Sequence, residues 1–159
     1  MDATQKRRVA DSEIENVFPL IYKHMNSHGR LFGGVLMQWI DQLAGMVAYR
    51  HAHQRVITAV VDSLAFKGPA FIDEVVVMHG CVTYVGRTSI EVKVDTFVET
   101  IGVERRQINE AYLVMVAIDE KGEPCPVPGL ELETEEQKHE WAMGEKRNAL
   151  RKQRRLEQY

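Results

Sequence analysis

Three residue types in the first third of the chain have the chemistry to act on a carbonyl group. The stretch HGRLFGGVLMQWID, residues 28–41, places two adjacent glycines, Gly33 and Gly34, at the start of a mostly apolar helical pattern, with Asp41 two turns inside it. The first N–H groups of a helix have no partner within it and carry the positive end of its dipole. A side-chain-free pair there offers bare backbone to a ligand oxygen, the makings of an oxyanion site. A carboxylate in a helix built for burial is paired, protonated or used. If used, Asp41 is a general base or a nucleophile. Asn26, in the preceding loop, supplies an amide able to orient a water or a carbonyl.

Each of these residues also has an ordinary role. The glycines suit a sharp helix start or close packing, the asparagine suits a turn, and Asp41 suits a backbone N–H or a pairing with Arg30 or Arg50. Asp41 lies about 10 Å along the helix axis from Gly34. The two do not easily serve one carbonyl from the same helix. They do so if two such helices run antiparallel across a two-fold axis.

Other groups point to chemistry less sharply. Ser63 in VVDSLAFKGPA and the turn Gly86, Arg87, Thr88, Ser89 suit phosphate oxygens, and equally suit a strand serine and an ordinary hairpin. His51 and His53 lack a third ligand at metal spacing, and His24, His28 and His79 are scattered, so no metal site is expected. No Gly-x-Ser-x-Gly elbow, Walker-type loop or Gly-x-Gly-x-x-Gly is present, which argues against hydrolase triads and nucleotide folds. Lys146, Arg147, Arg151, Lys152, Arg154 and Arg155 crowd one short span, either as a solvated helix face or as an attractor of a polyanion.

The elements that must position these residues follow from periodicity. From Gly34 to about His53, Val35, Leu36, Trp39, Ile40, Leu43 and Val47 form one wide apolar stripe at helical spacing. The other side carries Gly34, Met37, Asp41, Gly45 and Ala48, small and weakly polar, suited to the approach of another backbone. Met37, Trp39 and Met46 read as packing residues. Four β-branched segments follow, VITAVVDSLAFK, EVVVMHGCVTYV, TSIEVKVDTFVET and INEAYLVMVAID, separated by turn chemistry at GPAFID, VGR and around Gly102. SEIENVFPLI, before the helix, reads as an edge strand. The pattern is α+β, with a curved antiparallel sheet wrapped around one long helix.

The 159 residues, 45% of them hydrophobic, suffice for one core. Residues 1–12 are polar and expected to be flexible, residues 13–120 form the domain, 121–130 a Pro-rich linker, and 131–159 a charged helical tail. A net charge of -3 gives no general reason to bind nucleic acid. Cys81 and Cys125 stand alone and the N-terminus has no apolar signal-like core, which together suggest a reducing, cytoplasmic setting. No run of apolar residues is long enough to predict a membrane span.

The spacing N-x-x-G-x-x-x-G-G-x-x-M-x-x-x-D, here Asn26, Gly29, Gly33, Gly34, Met37 and Asp41, resembles the signature of the hot dog fold acyl-CoA thioesterases. VVDSLAFKGPAFIDEV and YVGRTSIEVKV look like that family's following strands, so the similarity covers roughly residues 10–120. It implies a long helix wrapped by an antiparallel sheet and a homodimer at minimum. In that family sheets join edge to edge and the dimers commonly assemble as trimers of dimers. It also implies a site at the subunit interface, with Asp41 catalytic and Asn26 of the other chain its partner. Gly33 and Gly34 would polarise the thioester carbonyl. Ser63, Lys67, Gly86, Arg87, Thr88 and Ser89 would hold coenzyme A, with the basic tail as a further phosphate contact. The acyl-CoA thioester is then the substrate and no cofactor is needed. The fold alone does not impose this chemistry, since related proteins dehydrate hydroxyacyl thioesters or bind acyl-CoA as regulators. A dehydratase calls for a histidine at the helix head, and a regulator for a separate DNA-binding unit. Neither pattern is found here.

Overall fold

The computed structural model describes residues 5–100, 102 and 105–159. The apolar stripe forms α1, Gly33–Ala52, which ends where His53 turns left-handed at φ 51°. Around it run β2 (Ile14–Pro19), β3 (Arg55–Phe66), β4 (Val75–Val85), β5 (Ser89–Glu99) and β6 (Arg106–Ile118), all antiparallel in the order β2-β4-β5-β6-β3. Strand alternation sends Ile90, Val92 and Val94 of β5, and Leu113, Met115 and Ala117 of β6, inward onto Leu36, Ile40, Leu43 and Val47 of α1. Each fully buried aliphatic side chain contributes roughly 1.5–3 kcal/mol. All five strands touch α1, so the sheet wraps it. This is the hot dog fold that the resemblance implied, with β2 at one edge as its composition suggested.

β3 forms the other edge. It spans twelve residues and pairs only with β6 among the described residues, leaving one row of backbone groups open. Its register breaks between Thr58 and Val60 and again between Val61 and Ser63, so the strand carries two irregularities.

The ends of the chain depart from the polar reading. Lys6–Arg8 form β1, which pairs in parallel with β7, Gly129–Glu131, and Val9 is buried. The arm expected to be flexible is thus held by the stretch expected to be a linker, and residues 1–4 lie outside the described residues. Val127 and Leu130 enter the core, which extends past the prolines. The buried His51 explains part of this, donating from Nε2 to the Pro128 carbonyl at 3.0 Å. Residues 101, 103 and 104, beside the expected turn at Gly102, also lie outside the described residues.

The charged tail forms α2, Glu135–Glu157, capped by Thr134, whose hydroxyl accepts the Gln137 N–H at 3.1 Å. It crosses the outer face of the sheet, with Trp141 against Tyr84 at 4.7 Å between ring centroids. Gly144 lets the two backbones meet, since a Cβ there would stand 2.6 Å from the Cβ of Tyr84.

Candidate active site

α1 presents two faces. Leu36, Trp39, Ile40, Leu43 and Val47 are buried, and Trp39 stacks on Phe18 at 4.4 Å. The opposite side is open and carries apolar groups that water does not favour: Met37 is 46% exposed, Met46 54% and Tyr49 53%, beside Ile57 and Val61 of β3 at 50% and 47%. Met37 and Met46 are therefore not core residues, and Ala48 belongs to the core rather than to the open side. A groove of about 940 Å³ runs across this side, lined by Asp41, Met46, Tyr49, Ile57, Thr58 and Met115 among others.

Asp41 lies on this open side and is exposed within the chain, not buried as the apolar helix suggested. Its partner is neither Arg30 nor Arg50. Thr58 on β3 donates its hydroxyl to Asp41 Oδ1 at 2.6 Å, which points one carboxylate oxygen, while Oδ2 has no hydrogen-bond partner among the described residues. Arg50 instead reaches the backbone carbonyls of Asp11 and Glu13. Thr58 was not legible beforehand, because a threonine in VITAVV reads as strand composition and nothing more.

The helix head is open as well. No backbone acceptor for the Gly33 or Gly34 N–H occurs among the described residues, and the first helical bonds are from Val35 and Leu36 to the Phe32 carbonyl. Close packing is also real: a Cβ on Gly33 would lie 3.3 Å from the Phe66 ring, and one on Gly34 2.6 Å from that of Phe32. Asn26 does serve the turn, since its Oδ1 accepts the N–H groups of His28 at 2.9 Å and Arg30 at 3.2 Å. Those bonds occupy Oδ1, and the amide NH2 has no hydrogen-bond partner among the described residues.

The remaining candidates fall into two separate places in one chain. The hairpin Gly86–Ser89 is braced by Val127 N–H on the Arg87 carbonyl and Ala117 N–H on the Thr88 carbonyl, each at 3.0 Å. Ser89 lies opposite Val116, which pairs with Ile57. Lys67 lies just past the far end of β3, about 30 Å from Ile57 at strand rise, with Ser63 between them on the edge. Lys67 is engaged by Gln107 at 3.0 Å and Glu110 at 3.7 Å. The basic tail is largely committed too: Arg147 and Arg151 turn inward onto Glu91 and Asp62, leaving Lys146, Lys152 and Arg155 exposed. Cys81 offers no nucleophile, because burial pushes its thiol up to about 12.

Comparison with known proteins supplies the family. The model of the thioesterase superfamily matches residues 28–104. An uncharacterized acyl-CoA thioester hydrolase of Bacillus subtilis, YkhA, is 36% identical over 141 residues, covering 86% of this chain and 80% of that protein. The crystal structure of an apo-hexameric acyl-CoA thioesterase superposes with a TM-score of 0.91 at 36% identity, over 94% of this chain and 97% of that one. An acyl-CoA hydrolase from Staphylococcus aureus, solved with butyryl coenzyme A, coenzyme A and coenzyme A disulfide, gives 0.90 at 30% identity over 96% and 94%. That hydrolase has also been solved with alanine replacing one asparagine, one aspartate and one threonine, spaced along its chain as Asn26, Asp41 and Thr58 are here.

Proposed function

The chain belongs to the acyl-CoA thioester hydrolases of the thioesterase superfamily, and from that premise we propose that it hydrolyses acyl-CoA at a site shared by two subunits. The observation that carries this reading is Asp41, exposed on an open apolar face and aimed by Thr58. Gly33 packs by Phe66 and Asp41 by Thr58, so α1 runs antiparallel to β3. A two-fold axis through the free edge of β3 sets the two helices antiparallel and brings Asp41 of one chain toward Gly33 and Gly34 of the other. The same operation covers Met46, Tyr49, Ile57 and Val61. It also carries Ser63 and Lys67 of one chain toward the end of the sheet where the other holds Gly86–Ser89, so residues split in one chain serve one coenzyme A entrance. Since the related thioesterase noted above is hexameric, we take the homodimer as the minimum unit and a trimer of dimers as the full assembly.

In this arrangement the Gly34 N–H, with the Asn26 amide, binds the thioester carbonyl. Asp41 removes a proton from water as its oxygen attacks the carbonyl carbon, or attacks that carbon itself to form an anhydride that water then opens. The helix-head donors hold the oxyanion until the C–S bond breaks. The departing thiolate takes up the proton, giving coenzyme A and a free acid. No resident cofactor takes part in this scheme.

The test is thiol release from acyl-CoAs ranging from acetyl to palmitoyl, with wild type beside Asp41→Asn. Turnover should fall about 10²- to 10⁴-fold with the oligomer intact. Equal turnover in the two proteins would overturn the proposal.

A further inference from the structure

The outer face of the sheet holds a group of buried charges that the reaction does not use. Glu91 on β5 is 1% exposed and accepts from Arg147 Nη2 at 2.8 Å and Thr83 Oγ1 at 2.8 Å. Arg151 Nη1 lies 2.9 Å from Glu91 Oε2 and 2.8 Å from Asp62 Oδ2. Asp62, on β3, is 7% exposed, and Arg154 adds a longer contact at 3.4 Å.

Two features single out Arg151. It spans β6, tying the middle strand β5 to the edge strand β3. Asp62, its anchor, is the residue left out of register between Val61 and Ser63, in the second irregularity of β3. At such an irregularity a one-residue slip exchanges which side chains face in and out. Buried ion pairs are seldom better than apolar packing at stabilising a fold, but they hold their partners in one geometry.

We propose that Arg151 is a positioning residue for the reaction: by holding Asp62 it keeps the irregularity of β3 in place, and with it the free edge and the Thr58 hydroxyl that aims Asp41. This rests on β3 being the edge that carries the shared site. Arg147 supplies the internal control, because it meets Glu91, Glu140 and the ring of Tyr112 and makes no hydrogen bond or ion pair to β3 among the described residues.

The experiment compares Arg151→Met with Arg147→Met for kcat and KM on one acyl-CoA, at a temperature where both are folded, with amide hydrogen exchange across residues 57–63. Arg151→Met is expected to lower kcat about 10- to 100-fold relative to Arg147→Met, with a smaller change in KM and faster exchange in that segment. Asp62→Asn should reproduce the loss, and the double variant Asp62→Asn with Arg151→Met should be no worse than either single one. Equal kcat in the two arginine variants overturns the brace, as does additivity in the double variant. If Asp41→Asn removes turnover while Arg151→Met does not, the brace alone fails; if Asp41→Asn is fully active, the shared-site reading fails first.

Discussion

The two helices solve opposite problems with opposite materials. Up to its last turn α1 carries a single charge, Asp41, and it is only half covered by its own chain. α2 is densely charged, yet it closes against the sheet, with Trp141 partly buried and arginines matched to Glu91 and Asp62. Exposed apolar surface calls for a partner, whereas exposed charge is content in water. The inner side of the sheet is therefore where another chain belongs. The outer side is where this chain finishes itself.

Val61→Lys is the hardest blow to that contrast. A lysine at the centre of the free edge should block pairing of the sheets, giving a folded monomer whose turnover is reduced more than about 100-fold; sedimentation and thiol release check it, and an active monomer would break the comparison. Glu91→Leu attacks the other side, removing the buried carboxylate that two arginines share, and should cost roughly 3–5 kcal/mol in denaturant unfolding without splitting the oligomer. The same network predicts an acid limit. Burial pushes Glu91 up, but the hydrogen bonds and charge of Arg147, with Thr83 and Arg151, outweigh it and hold the carboxyl below the ordinary 4.5. Its contribution is complete above that value and is lost as pH falls through the lower, folded one. Thermal midpoints measured through this range should drop more steeply in wild type than in Glu91→Leu.

Thr58→Ala sharpens the inner side, since losing one bond to a carboxylate should lower kcat about tenfold and leave stability little changed. The smallest effect belongs to Glu135→Gln. This residue pairs with Lys138 in the open at 2.6 Å, and removing the pair should move stability by less than about 0.5 kcal/mol.

Much of the candidate site was legible because its residues follow one another along a helix and its approach. Asn26, the two glycines and Asp41 keep a spacing that local geometry translates directly into positions. Thr58 was not legible, since its role depends on β3 folding back along α1. For a related reason neither reading of the basic tail, a solvated face or an attractor of a polyanion, anticipates that Arg147 and Arg151 turn inward. Their carboxylate partners lie on β3 and β5, and alternation marks Glu91 as outward-facing without saying what covers it.

Residue pattern alone establishes α1 and the five strands of the main sheet, though not the pairing of β1 with β7, and shows that one helix opens on bare N–H groups with a carboxylate further along. Periodicity and turn chemistry act within a few residues, so they survive without a fold. That β3 is the free edge, that Thr58 meets Asp41, that Asp62 sits where the register breaks and that α2 reaches across to hold it are visible in the folded chain alone. These are contacts between strands and helices far apart in the chain, set by packing the whole sheet around α1.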